Sequence, residues 1–498
     1  MIKNSPLLNR IYNMLYCPMD IAGLAVFRIY FGAIILYECW RGTRLLPVVG
    51  EYNYQLIYFK YRFFEWVNPI TPQAMEWVFR IYALAGLAIV LGIFYRFASI
   101  TAALCISYIF LVDITNYLNH IYLVIIVSYM MIFIPAHKGW SLYALFNKRK
   151  SCSTTPGWAV WLLRFQIGIV YFYGAIAKMN VDWINGMPLY NWLKGHELDY
   201  PIEAFVSSTA GVYFFTYMGL LYDLLVVPLL LYRPTRAIAF CLTLSFHLTN
   251  FHLFNIGIFP WFMIGATTIF FDTNWPRSFL AFFFKDQFHP ISSTLKPPAH
   301  LNTWQKSGLV LLCSHLVFQS IFPLRHFFFH TNGSWTEEGH NFSWHMKLRG
   351  KTSIVNFIVK DPETGKSIYI DPKRYLTRRQ VTKMSGKPAL ILQFAHFLRD
   401  KFTQPGEKPV EVYAEGRVKL NGRNAQRLVD PNVNLAQISS IKLFGNEWLF
   451  PLRQPVWNAE NKRNRFGPAL VRDEIAMKAI PELNGNENKV VENVLPEK

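Results

Sequence analysis

Ile169-Val-Tyr-Phe-Tyr-Gly-Ala-Ile-Ala-Lys178-Met-Asn-Val-Asp182-Trp183 closes an apolar run that begins near residue 158. Some 20 apolar residues in a row are the length of a helix that spans a bilayer. Lys178 stands at the end of this one, where a lysine either snorkels to the interface or serves a site. Working outward, comparable runs lie at about 20–39, 75–93, 97–112, 120–135, 211–232, 236–254, 257–271 and 304–323. Together they predict a membrane α-helical bundle of about nine spans over residues 20–324. Ahead of it, residues 1–19 carry Leu7, Leu8, Ile11, Met14 and Leu15 at helical spacing, the pattern of an interfacial amphipathic helix.

Composition agrees. Charged residues are 16% of the 498 and aromatics 17%, whereas a soluble domain carries about 25% charged residues. The formal net charge of +19 fits Lys/Arg-rich cytoplasmic loops and attraction to membrane lipid. No basic module interleaved with aromatics occurs, so nucleic acid is not an expected partner. With the N-terminus in the cytoplasm, that side holds Lys3, Arg10, Arg96, Lys138, Lys148, Arg149, Lys150, Arg233, Arg236, Arg277, Lys285 and Lys296. The other side holds Arg41, Arg44, Lys60, Arg62 and Lys194, a split of 12 to 5. Nine spans then place everything after about 325 outside the cytoplasm.

From 325 the text changes character. Short strand-like pieces, Ser353–Val359, Ser367–Ile370, Val410–Tyr413 and Gln437–Leu443, alternate with turns such as Asn421-Gly422, and an amphipathic helix is expected over 388–401. This predicts a β-rich extramembrane domain over 325–480, followed by a disordered tail over 481–498. Of the six cysteines none follows Cys313, and no CxxC pair exists, so neither a zinc site nor a disulfide inside the C-terminal region is expected.

Ionisable residues in spans are functional candidates. A desolvated amine at Lys178 is a usable base; the alternative is an interfacial lysine paired with Asp182 at i+4. Asp113, Asn116 and His120 share one helical face if that helix starts early, and otherwise are a helix cap with an interfacial histidine. His247, Asn250, His252 and Asn255, with Gly257 and Pro260, suggest a broken helix lining a cavity. Arg28, Arg80 and Arg164 read mainly as pins between helices. Trp335-Thr-Glu337-Glu338-Gly-His340-Asn-Phe-Ser-Trp344-His-Met346 gathers aromatics, acids and histidines just after the last span.

These stretches resemble the vitamin K-dependent γ-glutamyl carboxylase family, with its HTTM-type membrane domain. The resemblance runs in order through Asn119-His120-Ile-Tyr-Leu, Tyr171-Phe-Tyr-Gly-Ala-Ile-Ala-Lys178 with Asp182-Trp183, and Phe246-His247-Leu-Thr-Asn250 with Phe259-Pro260. It continues through Trp335-Thr336, Phe342-Ser343-Trp344, Leu392-Gln393-Phe-Ala-His396 and Leu428-Val-Asp430-Pro431. It implies that a lysine deprotonates vitamin K hydroquinone (reduced menaquinone or phylloquinone) and that O2 addition yields a strong base. That base removes a γ-proton from a glutamyl residue, CO2 is captured, and the quinone leaves as the epoxide. Carried onto this chain, the resemblance assigns catalysis to Lys178 and His120. It gives cofactor binding to Asn119, His247, Asn250 and Phe259, and contact with a glutamyl protein or peptide to Trp335, His340 and Trp344.

The chain departs from the family on the peptide side. The family's disulfide between a membrane loop and the exposed domain is impossible without a cysteine after Cys313, and Gly339-His340 stand where the animal enzymes place a tyrosine. A bacterial-type member with retained epoxidation and weak or lost carboxylation is one expectation. A non-enzymatic module that binds lipid or quinone, with a partner-binding exposed domain, is the other alternative.

Overall fold

The computed structural model describes residues 6–45, 55–193, 202–206, 208–254, 256–284, 297–298, 300–329, 332–442 and 446–453. Asn255 and the tail expected over 481–498 lie outside these. The first helix, α1 (Pro6–Tyr16), leaves Leu7, Ile11 and Met14 exposed on its apolar face. The bundle follows: α2 (Ala22–Leu45), α3 (Pro72–Leu91), α4 (Tyr95–Leu111), α5 (Asn119–Phe133), α6 (Gly157–Lys178), α7 (Thr209–Leu231), α8 (Arg236–Phe254), α9 (Phe259–Thr267) and α10 (Thr303–Ile321). Neighbours in sequence pack on one another from α2 to α5, and again from α6 to α9, with α6 also touching α10.

Among the described residues, six segments are long and apolar enough to cross a membrane: Ala22–Arg41, Pro72–Leu91, Gly157–Lys178, Thr209–Leu231, Arg233–Phe254 and Thr303–Phe328. The other three expected spans are helices, but short ones: Tyr95–Leu111, Asn119–Phe133 and Phe259–Phe270. At 1.5 Å per residue a 15-residue helix reaches only about 22 Å, against a hydrocarbon thickness of about 30 Å. The expected count of nine therefore stands at six by length, and the shorter helices decide whether the two ends of the chain share a side.

Two of the three arginines in the spans, Arg28 and Arg164, are pins. Arg28 is fully buried and donates to the carbonyls of Ile89, Val90 and Trp140 at 2.8, 2.8 and 2.6 Å. Arg164 donates to Ile269 and Phe271, each at 2.9 Å. Arg80 pairs with Glu76 of its own helix and stays exposed. The buried donors close backbone carbonyls freed at helix ends, which hydrocarbon cannot satisfy. Small residues let α2 and α3 approach: a Cβ added at Gly32 would lie 2.7 Å from the carbonyl oxygen of Gly86.

The C-terminal region holds a three-stranded antiparallel sheet in the order β4-β3-β5, built from β3 (Lys351–Lys360), β4 (Ser367–Ile370) and β5 (Glu411–Leu420). A short hairpin nearer the N-terminus supplies β1 (Pro18–Asp20) and β2 (Thr154–Pro156). Alternation puts Val355, Phe357 and Val359 of β3 and Val412, Ala414 and Val418 of β5 on one buried face. Leu390, Ile391, Phe394 and Leu398 of α11 (Pro388–Phe402) cover that face. Three of the expected strands are present, but Gln437–Leu443 is not one; a 3₁₀ turn over Leu435–Gln437 takes its start, and no strand is assigned through Lys442. With helices at Arg378–Met384 and Pro388–Phe402 the region is mixed α and β rather than simply β-rich.

Two seams join this region to the bundle. The segment after α2 inserts Phe59 into the C-terminal core, while Gln393 brackets Lys60, accepting from its N–H at 2.8 Å and donating to its carbonyl at 3.0 Å. At the other seam, Asp182 is buried and clasped by Arg423, with N–O distances of 2.6 and 2.7 Å, and by Asn421 at 2.6 Å. The Asn421-Gly422 turn, legible in the sequence only as punctuation, thus delivers a clamp to the residue four beyond Lys178.

Candidate functional site

A cavity of about 490 Å³ lies between α6, α7, α8 and α9, lined among others by Tyr171, Lys178, Tyr222, Asp223, His247, Asn250 and Phe259. Its walls are overwhelmingly apolar, and its few polar groups converge, the pattern of a small-molecule site.

Lys178 is buried at the C-terminal end of α6. Its Nζ donates to Asp223 of α7 and lies 3.3 Å from the carbonyl oxygen of Gly219. The rings of Trp183 and Phe246 flank Nζ, 5.4 and 5.9 Å away. The pairing with Asp182 at i+4 does not form, because Asp182 turns outward to Arg423. Gly174 makes room for the pair; a Cβ there would sit 2.8 Å from an Asp223 carboxylate oxygen. Asp223 is the residue that sequence reasoning missed. It is the one charged residue between Thr209 and Leu231, so the rule that singled out Lys178 applied to it equally.

His247 is buried on α8, and its Nε2 is 2.9 Å from the Tyr171 hydroxyl, which also lies 3.4 Å from Thr267 and from the Tyr222 hydroxyl. Its Nδ1 is buried with no hydrogen-bond partner among the described residues. His252, five residues on, is exposed, so the two histidines do not converge. Asn250 donates to the Phe246 carbonyl of its own helix at 2.9 Å. The Phe259 ring stands between two histidines, 5.8 Å from His247 and 6.1 Å from His120.

His120 therefore lies behind Phe259 rather than on the cavity wall, and its Nε2 is buried without a hydrogen-bond partner among the described residues. The helical face expected for Asp113, Asn116 and His120 does not exist. The helix starts at Asn119, and Asp113 instead caps a 3₁₀ turn and accepts from Gln380 at 3.0 Å. Asn119 donates to the His345 carbonyl at 2.9 Å, which ties the bundle to the segment after the last span.

That segment splits its expected residues. Trp344 is buried in the bundle core, 5.0 Å ring to ring from Tyr122, with its indole N–H unpartnered. Trp335 belongs to the C-terminal core and donates to the Phe450 carbonyl at 2.8 Å. His340 faces Arg349 and His345 and does not line the cavity. Met346 and Lys347 do line it; Met346 closes the motif singled out in the sequence, whereas nothing there distinguished Lys347. Glu337, Phe342, Trp344 and Lys347 all take positive φ, between 48° and 65°. Bulky side chains held there cost of order 1–3 kcal/mol each, and surrounding contacts must enforce them.

Three cations around this segment share an internal partner. Glu337 is ringed by Arg349 at 2.6 Å, Lys351 at 3.4 Å and Lys387 at 3.5 Å. Burial alone would raise the Glu337 carboxyl, but Arg349, Lys387 and Lys351 override it and hold it well below the usual range. Burial, and then Arg349, push His340 well below an ordinary histidine, so it sits neutral as an acceptor for the guanidinium. Burial lowers Lys351 to about 8 despite Glu337.

No group of His, Cys, Asp and Glu among the described residues is arranged to hold a metal ion, and all six cysteines are free. No solved structure matches the chain. Residues 16–275 match the HTTM domain. Residues 304–455 match the lumenal domain of vitamin K-dependent γ-carboxylase. With the membrane half and the exposed half matched in order, this membrane protein belongs to the vitamin K-dependent γ-carboxylase family.

Proposed function

We propose that the chain is a vitamin K-dependent γ-glutamyl carboxylase and epoxidase in which the Lys178–Asp223 pair takes the first proton. The observation that carries this reading is a buried lysine and its carboxylate partner opening onto an apolar cavity of quinone size. The unpartnered His247 Nδ1 on the same wall fits a hydroxyl-bearing ring. His247, Asn250 and Phe259 would hold that ring. His120 and Asn119 set the position of Phe259 and of the segment above it. When bound, vitamin K hydroquinone supplies, on oxidation by O2 to the epoxide, the basicity needed to remove a glutamyl γ-proton before CO2 is captured. The protein's part is to take up a proton at Nζ, stabilise the resulting ammonium with Asp223, and exclude water. Supplying reduced vitamin K, bicarbonate and a glutamyl peptide, and measuring epoxide and γ-carboxyglutamate separately, tests it. Formation of neither product removes the proposal, while epoxide alone favours the reading as a quinol epoxidase with lost carboxylation. The departure at His340, which faces Arg349, supports that second reading.

The N-terminus is placed in the cytoplasm and the C-terminal region on the lumenal or periplasmic side. The 12-to-5 loop charge split and the match of residues 304–455 to a lumenal domain support this. It requires an odd number of the three short helices to count as crossings. A reporter fused after residue 498 is expected to behave as non-cytoplasmic; cytoplasmic activity would overturn the orientation.

A further inference from the structure

The cavity holds two lysine amino groups. Lys178 lies deep and is engaged by Asp223; Lys347 enters from the segment after the last span. Its Nζ lies 5.6 Å from the ring centres of both Trp192 and Phe254. Two aromatic faces steady a cation but take none of its three N–H donors in a conventional hydrogen bond. Among the described residues no carboxylate stands within 4.0 Å of it, while the neighbouring cations are committed: Arg349, Lys351 and Lys387 to Glu337, and Arg423 to Asp182. Lys347 is also exposed, so an acceptor arriving at the lip of the cavity reaches it directly.

We propose that Lys347 is the docking residue for the side-chain carboxylate of a glutamyl peptide, held at the lip of the cavity by an ammonium that Trp192 and Phe254 steady. The proposal rests on the carboxylase reading above. It moves the carboxylate contact from the resemblance-assigned His340, whose surroundings already hold the internal carboxylate of Glu337, to a cation with room for a second partner. A carboxylate against an ammonium gains a charge-assisted bond that an amide in its place does not. The ligand is thus a peptide with an accessible glutamyl side chain, and the isosteric glutaminyl peptide is rejected.

The test is binding, not turnover. A fluorescein-labelled pentapeptide with one central Glu and capped ends, and its Gln analogue, are titrated onto the purified full-length protein in detergent. Wild-type protein is expected to bind the Glu peptide about tenfold or more tighter than the Gln peptide. Lys347→Met brings the Glu peptide down to the Gln level, and Lys347→Arg retains most of the preference. A Lys347→Met protein with undiminished Glu preference, or a wild-type protein with none, overturns the proposal. A chain that prefers Glu through Lys347 but forms neither epoxide nor γ-carboxyglutamate would sink the catalytic reading and leave the docking residue standing. Normal product formation with Glu preference unchanged in Lys347→Met would do the reverse.

Discussion

Replacing Lys178 by alanine is expected to lower vitamin K hydroquinone oxidation by about 10³-fold, within the range that a positioned general base contributes. The structure adds a condition to that expectation. The substitution strands Asp223, a carboxylate buried among apolar side chains, which will take up a proton rather than remain charged and alone. Lys178→Met with Asp223→Asn is therefore the cleaner inactive form, since it removes both charges at once. Asp223→Asn alone asks what the carboxylate does: proton uptake at Nζ then creates an ammonium with no counter-charge in an apolar site. Turnover should fall by about 10²-fold, with the quinone KM little changed. A small amine added to Lys178→Ala should restore part of the activity. Normal epoxide formation by Lys178→Ala would falsify the base assignment, and full turnover by Asp223→Asn would reduce the carboxylate to a bystander.

The second large effect concerns the clamp. Arg423→Met leaves Asp182 buried with only Asn421 beside it, and breaking a buried pair from one side costs about 3–5 kcal/mol. The loss falls where the C-terminal region meets the end of α6, so thermal unfolding should begin at a lower temperature and protease should cut between the halves. Asp182→Asn combined with Arg423→Met removes both charges and should recover most of the stability, because the penalty lies in the unpaired charge. An unchanged melting curve for Arg423→Met would show that the clamp carries no load.

The bundle was legible because a long apolar run is costly anywhere but in a bilayer or a deeply buried core, and its change to a sheet-bearing region at about 325 was equally plain. The number of crossings was not: the short runs at 97–112, 120–135 and 257–271 read as spans by hydropathy, yet α4, α5 and α9 are too short to cross a bilayer on length alone. Lys178, His247 and Phe259 were found by rule or resemblance and do converge. Asp223 was lost among leucines, although one acid in such a run is itself a signal. The partner of Asp182 lies 241 residues away, and pairing over that distance leaves no mark in a single sequence. His120 illustrates the opposite limit: the resemblance assigned it a role, but which side of Phe259 it occupies is a matter of packing.

Phe214, Met218, Leu221, Leu225 and Leu242 line the cavity and are exposed at the same time. These residues lie on α7 and α8, whose segments are long and apolar enough to cross a membrane, so in a bilayer the opening would face the hydrocarbon tails of the surrounding leaflet. A reactant using that entrance is counted per lipid rather than per litre. Its saturation constant is a mole fraction in the bilayer, and extra detergent or phospholipid dilutes it at constant bulk concentration. Rates for different preparations are therefore comparable only at matched lipid-to-quinone ratios.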